Sequence, residues 1–280
     1  MSAIALLHLS DLHFGRDADL AQVEELERLI PALGPDAVVI AGDISQRARH
    51  GEFQRALAFV QCARAAAPVL VIPGNHDVQW WWSPWSVAGQ RIKWAKYRRY
   101  FGDDLSPRLI APGMVIASAL TSHGVAPGSM TWNLNDMAVR GHLPSAEVSR
   151  LGETFRAAPD GALRVAVLHH NVLKGQISRR WGLARPHQAQ RRLEAAGADL
   201  VLCGHDHQEG AGQLEGGTVV STASTHTWRT RGHRPSAFNV VRADEASISV
   251  QHMRWDAAEG RFVPSDLARF VRRRRSPDQA

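Results

Sequence analysis

The sequence predicts a single α/β domain containing two β-sheets. Two patterns predict it. Short apolar runs alternate with amphipathic, Ala/Leu/Arg-rich stretches as far as residue 203, and beyond residue 217 only strand-like runs recur. A third observation places a site on that frame: five polar clusters each close an apolar run, and α/β sheets bind ligands beyond the carboxyl ends of their strands.

In chain order, residues 4–9 read as a strand and 20–33 as a helix stopped by Gly34-Pro35. Residues 37–41 read as the next strand, 52–66 as the next helix, and 69–72 as a buried strand bounded by Pro73-Gly74. This βαβαβ order implies parallel strands joined by crossover helices. Residues 78–110 break the pattern as an insert. It holds five of the nine tryptophans (Trp80, Trp81, Trp82, Trp85, Trp94) together with Arg91, Lys93, Lys96, Arg98 and Arg99. The alternation resumes with strand 114–120, helix 145–158, strand 163–168, helix 186–196 and strand 200–203. Residues 218–221, 237–241 and 248–253 read as further strands. No repeat or linker marks a second domain, so residues 1–265 read as one domain and 266–280 as a basic, flexible tail.

At 280 residues the chain can bury a full core, and its 44% hydrophobic and 21% charged content suits a soluble globular protein. Two cysteines, Cys62 and Cys203, are too few for a disulfide framework. The first residues lack the features of a secretory signal, and no uncharged apolar run approaches the roughly 20 residues of a membrane span. The expected setting is cytoplasmic. The net charge of +6 is uneven: residues 269–280 hold five arginines and one acid, or +4, which leaves +2 on the body. A solvated tail is one reading; contact with nucleic acid or with an anionic membrane surface, at which the protein would sit peripherally, is the other.

The clusters are Asp11-Leu12-His13, Gly42-Asp43, Gly74-Asn75-His76-Asp77, His169-His170 and Gly204-His205-Asp206-His207. In extended backbone Asp11 and His13 face the same way and can grip one cation, although a polar pair at a strand end also serves as turn chemistry. Asp43 alone reads equally as a turn or helix-cap residue. The joint occurrence carries the argument, since Asp, Asn and His form a ligand set suited to Mn, Fe or Zn rather than Ca. Cys203 and His8 read as core, whereas His123 and His226 sit in polar loops that either line a pocket or face water.

In this order the clusters resemble the metallophosphoesterase (calcineurin-like phosphoesterase) superfamily, whose pattern runs D-x-H, G-D, G-N-H-[DE], H and G-H-x-H. The resemblance spans residues 4–210 and implies a four-layer αββα sandwich of two mixed β-sheets flanked by helices. It implies one metal ion on Asp11, His13, Asp43 and His207 and a second on Asp43, Asn75, His169 and His205. Asp43 would bridge the two ions, and a hydroxide shared between them would attack phosphorus in line. His76 matches the family's unligated histidine that protonates the leaving oxygen, with Asp77 either orienting it or capping a helix. Members often read His-His-Pro or His-x-Pro where this chain reads His169-His170-Asn171, so His170 either supports the ligands from behind or faces substrate.

Gly42-Asp43 continues as Ile44-Ser45-Gln46-Arg47, without the second Asp of the G-D-x-V-D-R-G run in the superfamily's Ser/Thr protein phosphatases. Length and spacing look more like the compact bacterial branch that includes class III cyclic-nucleotide phosphodiesterases, which implies a small, nucleotide-like phosphodiester substrate. Trp80 and its neighbours follow the third cluster, either as an aromatic wall for a base or lipid, or as a loop packed on the body or at a homodimer seam. Residues 91–99 read as a basic amphipathic helix. Arg229 either grips substrate phosphate or belongs to a polar hairpin. Competing functions are hydrolysis of a lipid-linked pyrophosphate, a nucleic-acid phosphodiesterase, and a non-catalytic metal-binding scaffold; the complete set of clusters argues against the last.

Overall fold

Strands that are apolar along their whole length need cover on both faces. The computed structural model, which describes residues 3–16, 18–78, 93–123, 140–225 and 232–273, supplies that cover. The first sheet contains β1 (Ile4–Leu9), β2 (Ala37–Ala41), β3 (Val69–Ile72), β10 (Ala237–Ala243), β11 (Ser247–Asp256) and β12 (Arg261–Val271). Its order is β12-β11-β10-β1-β2-β3, with β1, β2 and β3 parallel and the rest antiparallel. The second sheet contains β4 (Arg108–Ala111), β5 (Met114–Ser118), β6 (Leu163–His170), β7 (Leu200–Gly204), β8 (Gly210–Gln213) and β9 (Val219–Thr222). Its order is β4-β5-β6-β7-β9-β8, parallel inside with antiparallel edges.

Successive strand residues point to opposite faces, and this alternation sorts the core into three apolar layers. Leu6, Val39 and Ile72 meet Ile116, Val165 and Leu202 between the sheets. Leu7 and Ile40 turn outward onto α1 (Leu20–Leu33) and α2 (His50–Ala66), through Leu26, Ile30, Phe53 and Phe59. Ala166, Leu168 and Val201 face α4 (Ser145–Arg156) and α5 (Pro186–Ala196), through Leu151, Phe155 and Leu193. The result is the expected four-layer αββα sandwich. Helix α1 shows how local sequence sets its ends: Asp19 Oδ1 accepts from the Ala21 amide at 3.0 Å, and Gly34 takes the left-handed conformation (φ 54°) that stops it.

The structure departs from the sequence reading in the insert and in the tail, and it adds the short edge strands β4 and β8. The insert ends in α3 (Ala95–Phe101), where Trp94 and Tyr97 are buried and join an aromatic cluster with Phe53 and Phe101. Trp94 is therefore core; Trp80, Trp81, Trp82 and Trp85 lie outside the described residues. The supposed tail begins as strand, because β12 continues through Val271 against β11. Arg272 then tucks inward, and its Nη2 donates to the carbonyls of Gly161 (3.0 Å) and Ala162 (2.9 Å) and to Asp199 Oδ2 (3.3 Å). Part of the terminal charge is thus neutralised internally. No helix among the described residues is long and apolar enough to cross a membrane.

Arg272→Ala strands the buried Asp199 carboxylate and should cost about 3–5 kcal/mol in urea unfolding; a loss under about 1 kcal/mol would show that the latch is dispensable. Burial pushes the Cys203 thiol up to about 11, whereas Cys62 is exposed. Iodoacetamide at pH 8 should therefore alkylate Cys62 alone in the native protein and both thiols after denaturation, as read by mass spectrometry.

Candidate metal centre

The carboxyl ends of β1, β2 and β3 in one sheet and of β6 and β7 in the other converge on one edge of the sandwich. Asp11 and His13 follow β1, Asp43 follows β2, and Asn75 and His76 follow β3. His169 is the next-to-last residue of β6, where the register against β7 slips between Val167 and His170; His205 and His207 follow β7. Five of these residues have left-handed backbone: Asp11 (φ 58°), His13 (45°), Asp43 (50°), His205 (73°) and His207 (53°). Asp11 and His13 therefore reach the same centre through tight turns and not through extended chain. Such conformations cost on the order of 1 kcal/mol each and persist only where surroundings over-determine them. Here the Asp11 and His13 amides donate to the Gly42 and Asp43 carbonyls, both at 2.9 Å, and the His205 amide donates to Asp11 Oδ2 at 2.9 Å.

Two ligand sets result. Potential ligand atoms of Asp11, His13, Asp43 and His207 all lie within 4.8 Å of one another, and those of Asp43, His169 and His205 do likewise. Asn75 Oδ1 completes the second set, 3.0 Å from both His169 Nε2 and His205 Nδ1. Asp43 belongs to both sets.

The donor spacing suits cations. His13 Nε2 and His207 Nε2 are 3.3 Å apart, as are His169 Nε2 and His205 Nδ1. Ligands at ~2.1 Å from one ion sit roughly 3.0–3.4 Å from each other. His169 Nδ1 donates to the Ala41 carbonyl at 2.8 Å, which turns Nε2 inward, 3.2 Å from Asp43 Oδ2. The electrostatics show how tightly the groups are coupled. Burial pushes Asp11 up to about 7. Burial also opposes ionisation of Asp43, but His169, His76 and His13 hold it well below the usual carboxylate range. Burial alone would lower His169, yet the adjacent Asp43 raises it to about 9; burial and the rings of His170 and His169 drive His205 well below the imidazole range.

The motif glycines are explained by close approach. A Cβ on Gly74 would lie 2.1 Å from Asp43 Oδ1, and one on Gly204 would lie 1.7 Å from Ser10 Oγ. Asp77 neither contacts His76 nor caps a helix. It fastens two loops together, accepting from the amides of Ser45 (2.8 Å), Gly74 (2.9 Å) and Ile44 (3.2 Å) and from Ser45 Oγ (2.7 Å).

His76 stands outside both ligand sets, half-buried. Its amide donates to Asp43 Oδ1 at 2.8 Å, and its Nδ1 donates to the Gln46 carbonyl at 2.9 Å. Gln46 escaped the sequence reading because its main chain, and not its side chain, does this work. The substrate-facing candidates fare differently. His170 is buried, its ring 4.4 Å from that of His205 and its Nδ1 2.8 Å from Thr121 Oγ1, contacts that suit support of His205. His123 folds back onto the Leu120 carbonyl (3.0 Å) beside His142, and none of its contacts among the described residues reaches the centre. Trp80, Arg229 and His226 lie outside the described residues. His8 is core as expected, buried against Ser221 and Asn239.

Residues 4–209 match the family model described as calcineurin-like phosphoesterase. No curated protein matches the sequence. Among solved structures, purple acid phosphatase PPD1 from yellow lupin (Lupinus luteus) seeds is similar at 10% identity and TM-score 0.67, over 97% of this chain but only 54% of the lupin chain. A dimetal phosphatase from Danio rerio is similar at 13% identity and TM-score 0.65, over 96% of this chain and 99% of that one. GAP50, described as the anchor in the inner membrane complex of Plasmodium, gives 10% identity and TM-score 0.61, over 97% and 90%. At these identities the likeness concerns the fold alone.

Gly74→Ala and Gly204→Ala should each abolish high-affinity Mn binding in calorimetry while preserving the far-ultraviolet circular dichroism of the sandwich. Wild-type affinity in either variant would show that the close approaches are not needed.

Proposed function

The chain belongs to the calcineurin-like phosphoesterase family, and from that premise we propose that it is a dinuclear-metal-dependent phosphodiesterase acting on a small, nucleotide-like diester. One observation carries the reading: two ligand sets share Asp43, while His76 adjoins them and belongs to neither. Asp11, His13, Asp43 and His207 would hold one ion, and Asp43, Asn75, His169 and His205 the other. The oxygen and imidazole donors suit Mn or Fe, with Zn also compatible. When bound, such a pair supplies charge neutralisation at the phosphoryl oxygens and an activated water.

The chain's own residues would do the rest. The Gln46 carbonyl accepts from His76 Nδ1–H, so that in the imidazolium form the Nε2–H would deliver its proton to the departing oxygen and leave the neutral Nδ1–H ring. A neutral carbonyl thus orients this ring where protein phosphatases of the superfamily use a carboxylate, in keeping with a small-molecule diesterase. The non-catalytic scaffold is the second reading, and a complete donor set beside an unligated histidine favours catalysis over it.

With Mn added, the protein should hydrolyse bis(p-nitrophenyl) phosphate, and prior chelation should abolish turnover until Mn is restored. His76→Ala should lower kcat by about 10²–10⁴-fold with metal content unchanged; an undiminished rate would remove the proton-transfer role. Asn75→Ala should lose both turnover and one ion.

A further inference from the structure

The loops after β1 and β2 run side by side beyond the ligands they carry. The Phe14 amide donates to the Ile44 carbonyl at 2.8 Å, and the Gln46 amide donates to the Phe14 carbonyl at 3.1 Å. Phe14 pairs with Ser45 in parallel, and Gly15 then meets Gln46 so closely that a Cβ on it would lie 2.9 Å from Gln46 Cβ. The next residue of each loop is an arginine, Arg16 in one and Arg47 in the other, and both are exposed.

The loop pairing brings two cations to neighbouring positions, and like charges so placed repel. The acids around them are engaged elsewhere. Asp11 and Asp43 belong to the ligand sets, and Asp19 caps α1; Asp17 lies outside the described residues. Glu52 is buried, and its Oε2 accepts from the amides of Arg47 (2.7 Å) and Arg49 (3.2 Å). Among the described residues neither the Arg16 nor the Arg47 guanidinium has a hydrogen-bond or ion-pair partner. Covalent geometry places the pair at the centre. The carbonyl that accepts from His76 Nδ1 belongs to the peptide unit joining Gln46 to Arg47. Arg47 thus springs from the peptide that orients the proton donor, and Arg16 follows the glycine packed against Gln46.

We propose that Arg16 and Arg47 form a subsite for a second anionic group, a phosphate or a carboxylate, carried by the departing alcohol of the phosphodiester. The inference rests on the reading above, in which His76 serves the departing oxygen. Guanidinium forks bind such groups through paired, charge-assisted hydrogen bonds, and the bound anion offsets the repulsion between the two cations. The preferred substrate is then a diester whose leaving portion is itself charged, and a neutral leaving alcohol forgoes the contact.

The test uses methyl aryl phosphates that differ only at the para position of the departing phenol: hydrogen, phosphonomethyl, carboxymethyl or trimethylammoniomethyl. With the Mn-loaded full chain, an anionic ester should exceed the unsubstituted one in kcat/KM by about tenfold, and the better of the two names the group. The double variant Arg16→Gln/Arg47→Gln should bring that ratio towards one. Charge reversal, Arg16→Glu/Arg47→Glu, should turn the preference to the cationic ester. Equal rates for anionic and unsubstituted esters overturn the proposal, as does a ratio unchanged in the Gln variant. A loss shared equally by all the esters also overturns it, by placing the arginines on the reacting phosphoryl group. If no ester is hydrolysed, the catalytic reading falls and calorimetry decides the subsite alone. The 4-(phosphonomethyl) derivative of phenylphosphonate should then bind about tenfold more tightly than phenylphosphonate to the wild type but not to the Gln variant; equal binding overturns the proposal.

Discussion

Asp43 is 1% exposed, and a carboxylate taken so far out of water must find its counter-charge and hydrogen bonds inside the protein. Its Oδ1 takes the His76 amide at 2.8 Å. Its Oδ2 lies 3.2 Å from His169 Nε2 and 3.7 Å from His13 Nε2. Those three residues hang from the ends of β3, β6 and β1. Meeting the needs of this one group therefore ties three strand ends from both sheets to a single point. The inter-sheet layer around Val39, Ile72, Val165 and Leu202 fixes how far apart those ends stand.

The surrounding backbone is shaped to the same end. Left-handed conformations at Asp11, His13, Asp43, His205 and His207 turn five donors inward within a few residues of their strands. They are held by main-chain hydrogen bonds between neighbouring loops and by the Asp77 carboxylate, which fastens the loop after β2 to that after β3. Gly74 and Gly204 let those loops approach within what would be bonding distance of a side chain. A site assembled in advance this way gives up little order when ligands bind, since the fold has already placed the donors.

Much of the frame was legible in the sequence because these strands are covered on both faces and so read as unbroken apolar runs. The bounds of β1, β2, β3, α1 and α5 coincide with those read from sequence. Strand β12 was hidden because Arg261, Pro264, Ser265, Asp266 and Arg269 break up its apolar residues, two of which, Leu267 and Val271, are themselves exposed. Strand β8, Gly-Ala-Gly-Gln, has no apolar signal at all and exists through its pairing with β9. At the site, the donor types and their order were readable, but the turns that aim them were not. The carbonyls of Gln46 and Ala41 could not be found from residue type, since they depend on where the chain comes together.

The central claim is that two cations share Asp43, and anomalous diffraction at the manganese edge from Mn-soaked crystals tests it most directly. The account predicts two peaks about 3.5–4 Å apart with Asp43 between them. One should lie against Asp11, His13 and His207, and the other against Asn75, His169 and His205. A single peak, or two peaks that do not both contact Asp43, would contradict it.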